Sequence, residues 1–159
     1  MKISQPRKVI DPYEWLPGYG ESGVTIVSDG LQLVVTVRYD RQDSPSGQIC
    51  TVERDLRFEF AASVVRQPFP GGFVFEVAGD TKDLKLGALT EFQSSEFVDR
   101  YLSARLAVTS HRPVQMRHFA IQFLSENLDV HVIATGVILS DERPAATAAV
   151  KPSCDLCGC

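Results

Sequence analysis

The sequence lacks two features that would place the chain at or across a membrane. It has no run of about 18 apolar residues, the length that a membrane-spanning helix needs. Its first residues, MKISQPRKVIDPYEW, contain no apolar core of a secretory signal. We therefore expect a cytoplasmic protein with no transmembrane segment, whose thiols stay reduced.

An excess of positive charge is also missing. The 159 residues include 16 Lys and Arg against 20 Asp and Glu, which gives a formal net charge of −4. A general nucleic-acid binder needs a basic surface that neutralises phosphates. The charge therefore argues against nucleic acid as the partner, and the length suits one globular domain.

The chain lacks the short motifs of the common catalytic and nucleotide sites. Gly-x-Ser-x-Gly, His-Glu-x-x-His and the phosphate-binding GxxxxGK[ST] do not occur. The glycines of residues 18–23 do not form GxGxxG, and they precede a strand pattern instead of opening a helix. We expect a non-enzymatic protein; an enzyme whose site is assembled from scattered residues is an alternative.

Strand patterning dominates what is present. Apolar residues alternate with polar ones over 31–39, 56–60, 73–77 and 119–123, and an apolar run follows at 130–139. Asp29-Gly30 predicts a hairpin turn before the first of these runs. Residues 91–106 change to helical spacing, with Ser94 or Ser95 as N-cap. The order predicts an α+β fold: a mostly antiparallel sheet of about six strands with one helix packed on it.

Composition divides the chain into three parts. Residues 1–20 hold prolines and aromatics and are expected to form an irregular arm, since Pro12 and Pro17 interrupt regular structure. Residues 21–140 carry the β-rich domain. Residues 141–159 change to an Ala- and Pro-rich linker with a Cys-rich end, which predicts a flexible tail.

The tail carries the strongest local signal for chemistry. Cys154, Cys157 and Cys159 lie within six residues, and the two thiolates of a Cys-x-x-Cys pair can coordinate one soft metal ion. Zinc normally takes four ligands, so Asp155, a water molecule, the C-terminal carboxylate or Cys50 could complete the set, whereas Cu(I) accepts two or three thiolates. We expect Zn or Cu(I) binding, with modification of these cysteines as the alternative. Cys50 itself, in an apolar strand pattern, is typical of a buried thiol.

Two resemblances concern that alternative. The terminal Cys-Gly-Cys resembles the Cys-x-Cys prenylation signal of Rab-type GTPases, which implies a membrane partner only if the tail is lipidated. The order of folded domain, small-residue linker and Cys-rich end is similar to precursors of ribosomally made, modified peptides. That similarity implies that the domain is a recognition handle for a modifying enzyme.

The remaining candidates point to a protein partner. Tyr13, Trp15 and Tyr19 in the arm are residue types favoured in interface hot spots, although they could instead cover the end of the core. In size, acidity and absence of catalytic motifs the chain is generically similar to bacterial immunity and adaptor proteins. That similarity implies that it binds another protein.

Basic residues near the last predicted hairpin form a second candidate surface. Arg112, Arg117 and His118 could make a patch for an acidic partner or phosphate, or a solvated, salt-bridged face. With a two-residue turn inside residues 125–129, His118 and His131 share a face opposite Phe119. They would be separated by more than about 12 Å along the strands, too far for one metal ion.

Overall fold

The computed structural model describes residues 1–17, 20–42, 47–109 and 114–145. Within them the chain is mostly β, with one α-helix and a short 3-10 helix over Pro12–Glu14. The strands are β1 (Lys2–Ile10), β2 (Gly23–Asp29), β3 (Gln32–Gln42), β4 (Ile49–Glu59), β5 (Ser63–Pro68), β6 (Glu76–Ala78), β7 (Leu89–Ser95), β8 (Arg117–Phe123), β9 (Leu128–Ala134), β10 (Gly136–Leu139) and β11 (Arg143–Pro144). The helix α1 spans Glu96–Leu106 and follows β7 directly.

The strands form two sheets that enclose the main core. Sheet A has the order β5-β9-β8-β7-β1-β6, and sheet B has the order β10-β4-β3-β2 with β11 beside β4. Period-two alternation places one face of each sheet inward. The core cluster joins buried residues of sheet A with those of sheet B, among them Phe119, Ile121, Val35 and Phe58. The predicted sharing of one face by Phe119, Ile121, Phe123, Val130 and Val132 is confirmed.

The opposite face of sheet A, called its outer face below, is covered by α1 and by the segment around Phe75. Helix α1 packs on β1 and β8. Ser95 is its N-cap, as predicted, and accepts a hydrogen bond from the amide of Val98. The observed helix is shorter than the predicted helical segment of residues 91–106, because residues 91–95 belong to β7 instead. Phe97 lies edge-on to Phe75 with ring centroids 5.4 Å apart, which anchors the helix on this face.

The fold class is confirmed only in its coarse form. The chain is mostly β with one helix, but two sheets replace the single expected sheet, and sheet A is mixed because β1 pairs with β6 in parallel. The run at 130–139 divides at Thr135, where the chain passes from β9 in sheet A to β10 in sheet B. The first hairpin is present, but its turn residues are Gly30 and Leu31, one position later than predicted.

The expected irregular arm needs correction over residues 2–10. These residues form β1, which lies between β7 and β6. β1 pairs with β6 only through residues 2–4, so Pro6, which has no N–H, has a described strand on one side alone. Proline is tolerated at such edge positions. Among the described residues of the predicted arm, those outside a strand are Met1 and the residues after Ile10.

The C-terminal boundary also lies later than expected. Arg143 pairs in register with Glu53, and its guanidinium lies 2.8 Å from Asp55 Oδ1. Burial alone would raise the pKa of Asp55, but hydrogen bonds from Arg143, Thr36 and Arg57 lower it to about 2. These contacts fix residues 141–145 to sheet B. The Cys-rich end lies outside the described residues.

Candidate functional site

Four buried polar side chains form a continuous hydrogen-bonded line on the outer face of sheet A, called the polar line below. Ser95 Oγ lies 2.8 Å from His118 Nδ1. His118 Nε2 lies 2.9 Å from His131 Nδ1, and His131 Nε2 lies 2.9 Å from Asp129 Oδ2. The line joins the start of α1 to β8 and β9.

The partners at each end set the direction of these hydrogen bonds. A carboxylate only accepts, so His131 Nε2–H donates to Asp129 and leaves His131 Nδ1 as an acceptor. His118 Nε2–H then donates to His131, and His118 Nδ1 accepts from the Ser95 hydroxyl. The Ser95 oxygen in turn accepts from the amide of Val98 at 3.3 Å. All donors of the polar line are therefore used with both imidazoles neutral.

Strand register brings the two histidines together. β8 and β9 pair Ala120 with His131 and His118 with Ile133, so the histidines are diagonal neighbours on one face. The prediction that they lie on the face opposite Phe119 is confirmed, but the predicted separation is wrong. Four residues, 124–127, connect Phe123 to Leu128 instead of two, and this register moves His131 toward His118.

Aromatic rings enclose the polar line. Phe75 stacks on His131 with ring centroids 3.9 Å apart at 22°. Phe92 and Phe97 lie 5.1 and 5.4 Å from His118. Burial and, to a smaller extent, the nearby His131 lower the pKa of His118 to about 3, because a charged imidazole would lose its hydration there.

A serine beside a histidine resembles the start of a catalytic triad, but two features oppose that chemistry. A general base is most effective when its pKa lies near the working pH, whereas that of His118 is about 3. The Ser95 hydroxyl is buried, and its oxygen already caps α1. The arrangement can orient α1, β8 and β9 relative to one another, and it is poorly suited to activate a nucleophile.

Gln67 on β5 extends the polar line and borders a cavity. Its Nε2 donates to Asp129 Oδ2 at 2.8 Å, and its Oε1 accepts from the amide of Val74 at 3.1 Å. A Cβ on Gly72 would lie 2.5 Å from the Gln67 side chain, so the turn over residues 68–72 can close on Gln67 only with glycine there. Under this turn lies a cavity of about 200 Å³.

A second candidate surface lies on sheet B. β2 is its terminal strand, and no described strand pairs with the other side of β2. On the face away from the core, Val27, Val34, Arg57 and Ile138 align across β2, β3, β4 and β10. Val27 is 56 % exposed and Ile138 is 55 % exposed. Val27, Val34 and Ile138 form an apolar row, interrupted by Arg57, that reaches the edge of the sheet at β2.

The structure separates the predicted partner-binding residues. Tyr13 is 77 % exposed, whereas Trp15 is buried and packs edge-on against Tyr39, so Trp15 covers the end of the core. His118 is fully buried and is not available at the surface. Arg117 is half-buried and forms an ion pair with Glu91. Tyr19 and Arg112 lie outside the described residues.

The predicted metal or modification residues are mostly beyond the described ranges. Cys154, Asp155, Cys157 and Cys159 all lie outside them. Cys50 is exposed, not buried as expected, because it lies near the start of β4 on a part of the sheet that the core does not reach. In the described ranges no group of three or more His, Cys, Asp or Glu side chains is arranged to hold a metal ion.

Sequence reasoning missed Ser95, Asp129 and Gln67 as members of one cluster. Alternation could place Asp129 and His131 on one face, but Gln67 lies 62 positions from Asp129 in the chain. Only the pairing of β5 with β9 brings Gln67 beside Asp129.

Within the described residues no helix has the length and apolar character needed to cross a bilayer. No protein-family model, no curated protein and no solved structure matches the chain.

Proposed function

We propose that this chain is a non-enzymatic binding domain that recognises a protein partner by accepting an extended segment of that partner along β2. The observation that carries the proposal is the edge of sheet B. Residues 23–28 of β2 have no charge and no proline, and no described strand pairs with their outer side. The free N–H and C=O groups of such an edge are a template for another strand.

The other strand edges of the described fold have the features that normally prevent such pairing. β6 is three residues long and carries Glu76. β5 carries Arg66 and ends at Pro68. β10, which pairs with β4, has only four residues. β11, which also pairs with β4, consists of Arg143 and Pro144 alone. Short strands, charge and proline discourage strand addition, so β2 differs from the rest.

The apolar row supplies side-chain contacts to the same partner. Beyond the row, Leu31 and Phe60 are 58 % and 60 % exposed and border a depression of about 530 Å³ on sheet B. In strand addition, main-chain hydrogen bonds supply affinity and pockets for alternate side chains supply specificity. A partner segment with apolar residues at alternate positions fits this surface.

Val27→Lys is expected to weaken the complex about tenfold or more, because it places an unpaired ammonium where the partner strand must dock. Val64→Lys is the matched control: Val64 is also an exposed valine on an edge strand, but on β5 of the other sheet. Tagged full-length chain and both variants would be used as bait in extract of the native host. The affinity of each for the recovered partner would then be measured.

Hydrogen exchange of the purified complex tests the location of the contact. Amides of residues 23–29 should gain protection on binding, whereas those of residues 63–68 should not. Equal loss of binding in the two lysine variants, or unchanged exchange in β2, contradicts strand addition. A dimer that forms through β2 without another protein shows instead that the edge serves self-association.

For the tail we propose, from the sequence, that Cys154, Cys157 and Cys159 bind a soft metal ion, Zn or Cu(I). Three thiolates suit Cu(I) directly, whereas zinc needs a fourth ligand such as Asp155 or Cys50. Cys50 is exposed and hydrogen-bonds only weakly, with its sulfur 3.4 Å from the carbonyl of Arg41. A substrate role, in which an enzyme modifies these cysteines, is the alternative.

Native mass spectrometry of the full chain from its own host is expected to show one metal ion that a chelator removes. Replacement of all three tail cysteines by serine should abolish the added mass, whereas Cys50→Ser should leave the Cu(I) form intact. A covalent mass increase that survives chelator and reductant indicates modification or lipidation. An unmodified, metal-free mass under all conditions contradicts both roles of the tail.

A further inference from the structure

The cavity under the turn at residues 68–72 is large enough for a small ligand. Its volume is about 200 Å³, and a cavity of about 150 Å³ is known to hold benzene. Its apolar lining includes Phe69, Phe75, Phe92 and Ile121. The available space therefore matches a molecule with one ring and a short substituent.

The polar end of the cavity is acidic. Asp129 and His131 of the polar line are on its wall, together with Gln67. Lys85 also borders the cavity, but it is exposed, and its long side chain can keep the ammonium in water. Asp129 is 5 % exposed, so it is the buried charged group of the lining.

Asp129 has unused hydrogen-bonding capacity. Its Oδ2 accepts from Gln67 Nε2 at 2.8 Å and from His131 Nε2 at 2.9 Å. Its Oδ1 is buried and accepts no hydrogen bond from the described residues. A buried acceptor without a donor loses its hydration without compensation. The carboxylate torsion of aspartate is soft, so a small rotation can present an oxygen to the cavity.

We propose that this cavity binds a small organic cation with a single aromatic ring, whose N–H groups donate to Asp129 and whose ring packs on the phenylalanine side chains. An ammonium or amidinium supplies the missing donor and the opposite charge. Aromatic walls stabilise a cation through their negative ring faces. This site is on sheet A and is independent of the protein-binding edge on sheet B.

Benzylammonium is the probe for the test, with benzyl alcohol as the neutral probe of similar shape and benzoate as the anion. Titration of the full chain, followed by calorimetry and by amide chemical shifts, should give saturable binding of benzylammonium. Benzyl alcohol should bind about tenfold more weakly or worse, because it lacks the charge-assisted hydrogen bond, and benzoate should not bind. The largest shifts should fall on residues 67, 75, 92, 129 and 131.

Two variants locate the site. Asp129→Asn should weaken benzylammonium binding about tenfold, whereas Asp99→Asn on the exposed surface of α1 should leave it unchanged. Val77, 37 % exposed at the rim, can be replaced without opening the core, and Val77→Trp should block the cavity and abolish binding. If Asp129→Asn does not fold, Val77→Trp decides. Absence of saturable binding, equal affinity for benzyl alcohol, or unchanged binding in Val77→Trp overturns the proposal.

Discussion

Replacing His131 with alanine is expected to lower the free energy of unfolding by about 3–5 kcal/mol, because it leaves two buried polar groups short of a hydrogen-bond partner, at roughly 1–3 kcal/mol each, and also removes a packed ring. The substitution leaves Asp129 without one of its two donors and leaves His118 Nε2–H without an acceptor. It also removes the ring that stacks on Phe75 at 3.9 Å.

Two controls separate the polar contribution from packing. His131→Phe keeps a ring against Phe75 but removes both nitrogens, so it should still destabilise by more than about 1 kcal/mol. Arg66→Ala changes an exposed residue of β5 in the same sheet and should alter stability by less than about 0.5 kcal/mol. Urea unfolding followed by circular dichroism measures each value.

A double-mutant cycle tests whether His131 and Asp129 act as a unit. Once His131 is absent, Asp129 is a poorly paired buried carboxylate. Asp129→Ala should therefore lower the free energy of unfolding less in the His131→Ala variant than in the native chain. A coupling of about 1–3 kcal/mol is expected for residues that share a network. Strict additivity, or a loss below about 1 kcal/mol for His131→Ala, contradicts a stabilising role for the polar line.

Acidification is expected to destabilise the fold well before its carboxylates are protonated. The pKa of His118 is lowered to about 3, whereas a histidine of the unfolded chain titrates near about 6.5. Below about pH 6.5 the unfolded chain therefore takes up a proton that the folded chain does not. Stability should fall as pH falls, by roughly 1 kcal/mol per pH unit, until the pH approaches the folded pKa.

The window from about pH 6.5 to about pH 5 isolates this effect. A carboxyl group such as Asp55, with a folded pKa of about 2, changes the stability only as the pH approaches the unfolded carboxyl pKa of about 4. The titratable groups that face His118 are His131, in direct contact, and Asp129 beyond it. Urea unfolding at several pH values in this window should show the free energy of unfolding falling as the pH falls. His118→Gln cannot titrate, so in that variant the number of protons taken up on unfolding should be smaller by about one, and the slope should be correspondingly shallower.

Nuclear magnetic resonance gives the direct measurement. The ring proton signals of His118 should stay at the neutral position down to about pH 4.5, since the folded pKa lies lower. A titration of His118 with a midpoint above about pH 5 contradicts the burial argument. A free energy of unfolding that does not change with pH across the window of the urea experiment also contradicts the burial argument, independently of the resonance measurement.

Local pattern sufficed for those parts of the fold that depend on neighbouring residues. Alternation alone separated Phe119, Ile121 and Phe123 from His118 and placed the first group in the core. The acidic first turn predicted Ser94 or Ser95 as the N-cap of α1, and Ser95 is the N-cap. Both features are decided within a few positions of the chain, so the sequence specifies them directly.

Features that depend on strand pairing could not be predicted from the local sequence pattern. The histidine separation was wrong because it depends on how many residues the turn after Phe123 contains, and a change there displaces every partner along β9. The Asp129–Gln67 contact joins residues 62 apart, and the Ser95–His118 contact joins residues 23 apart. The sequence left open whether Trp15 contacts a partner or covers the end of the core. Its burial against Tyr39 in the folded chain shows that it covers the core.

The sequence by itself determined a mostly β chain with one helix, a net charge of −4 and three thiols within its last six residues. Tertiary structure alone decided that the described strands divide into two sheets and that the uncharged residues 23–28 of β2 lie at an edge of one of them. It also decided that His118 contacts His131, which in turn contacts Asp129. The physical reason is that side-chain alternation is local, whereas strand order and register are set by packing and turn length across the whole chain. Both candidate sites of the described fold, the β2 edge and the cavity beside Asp129, arise from that second level.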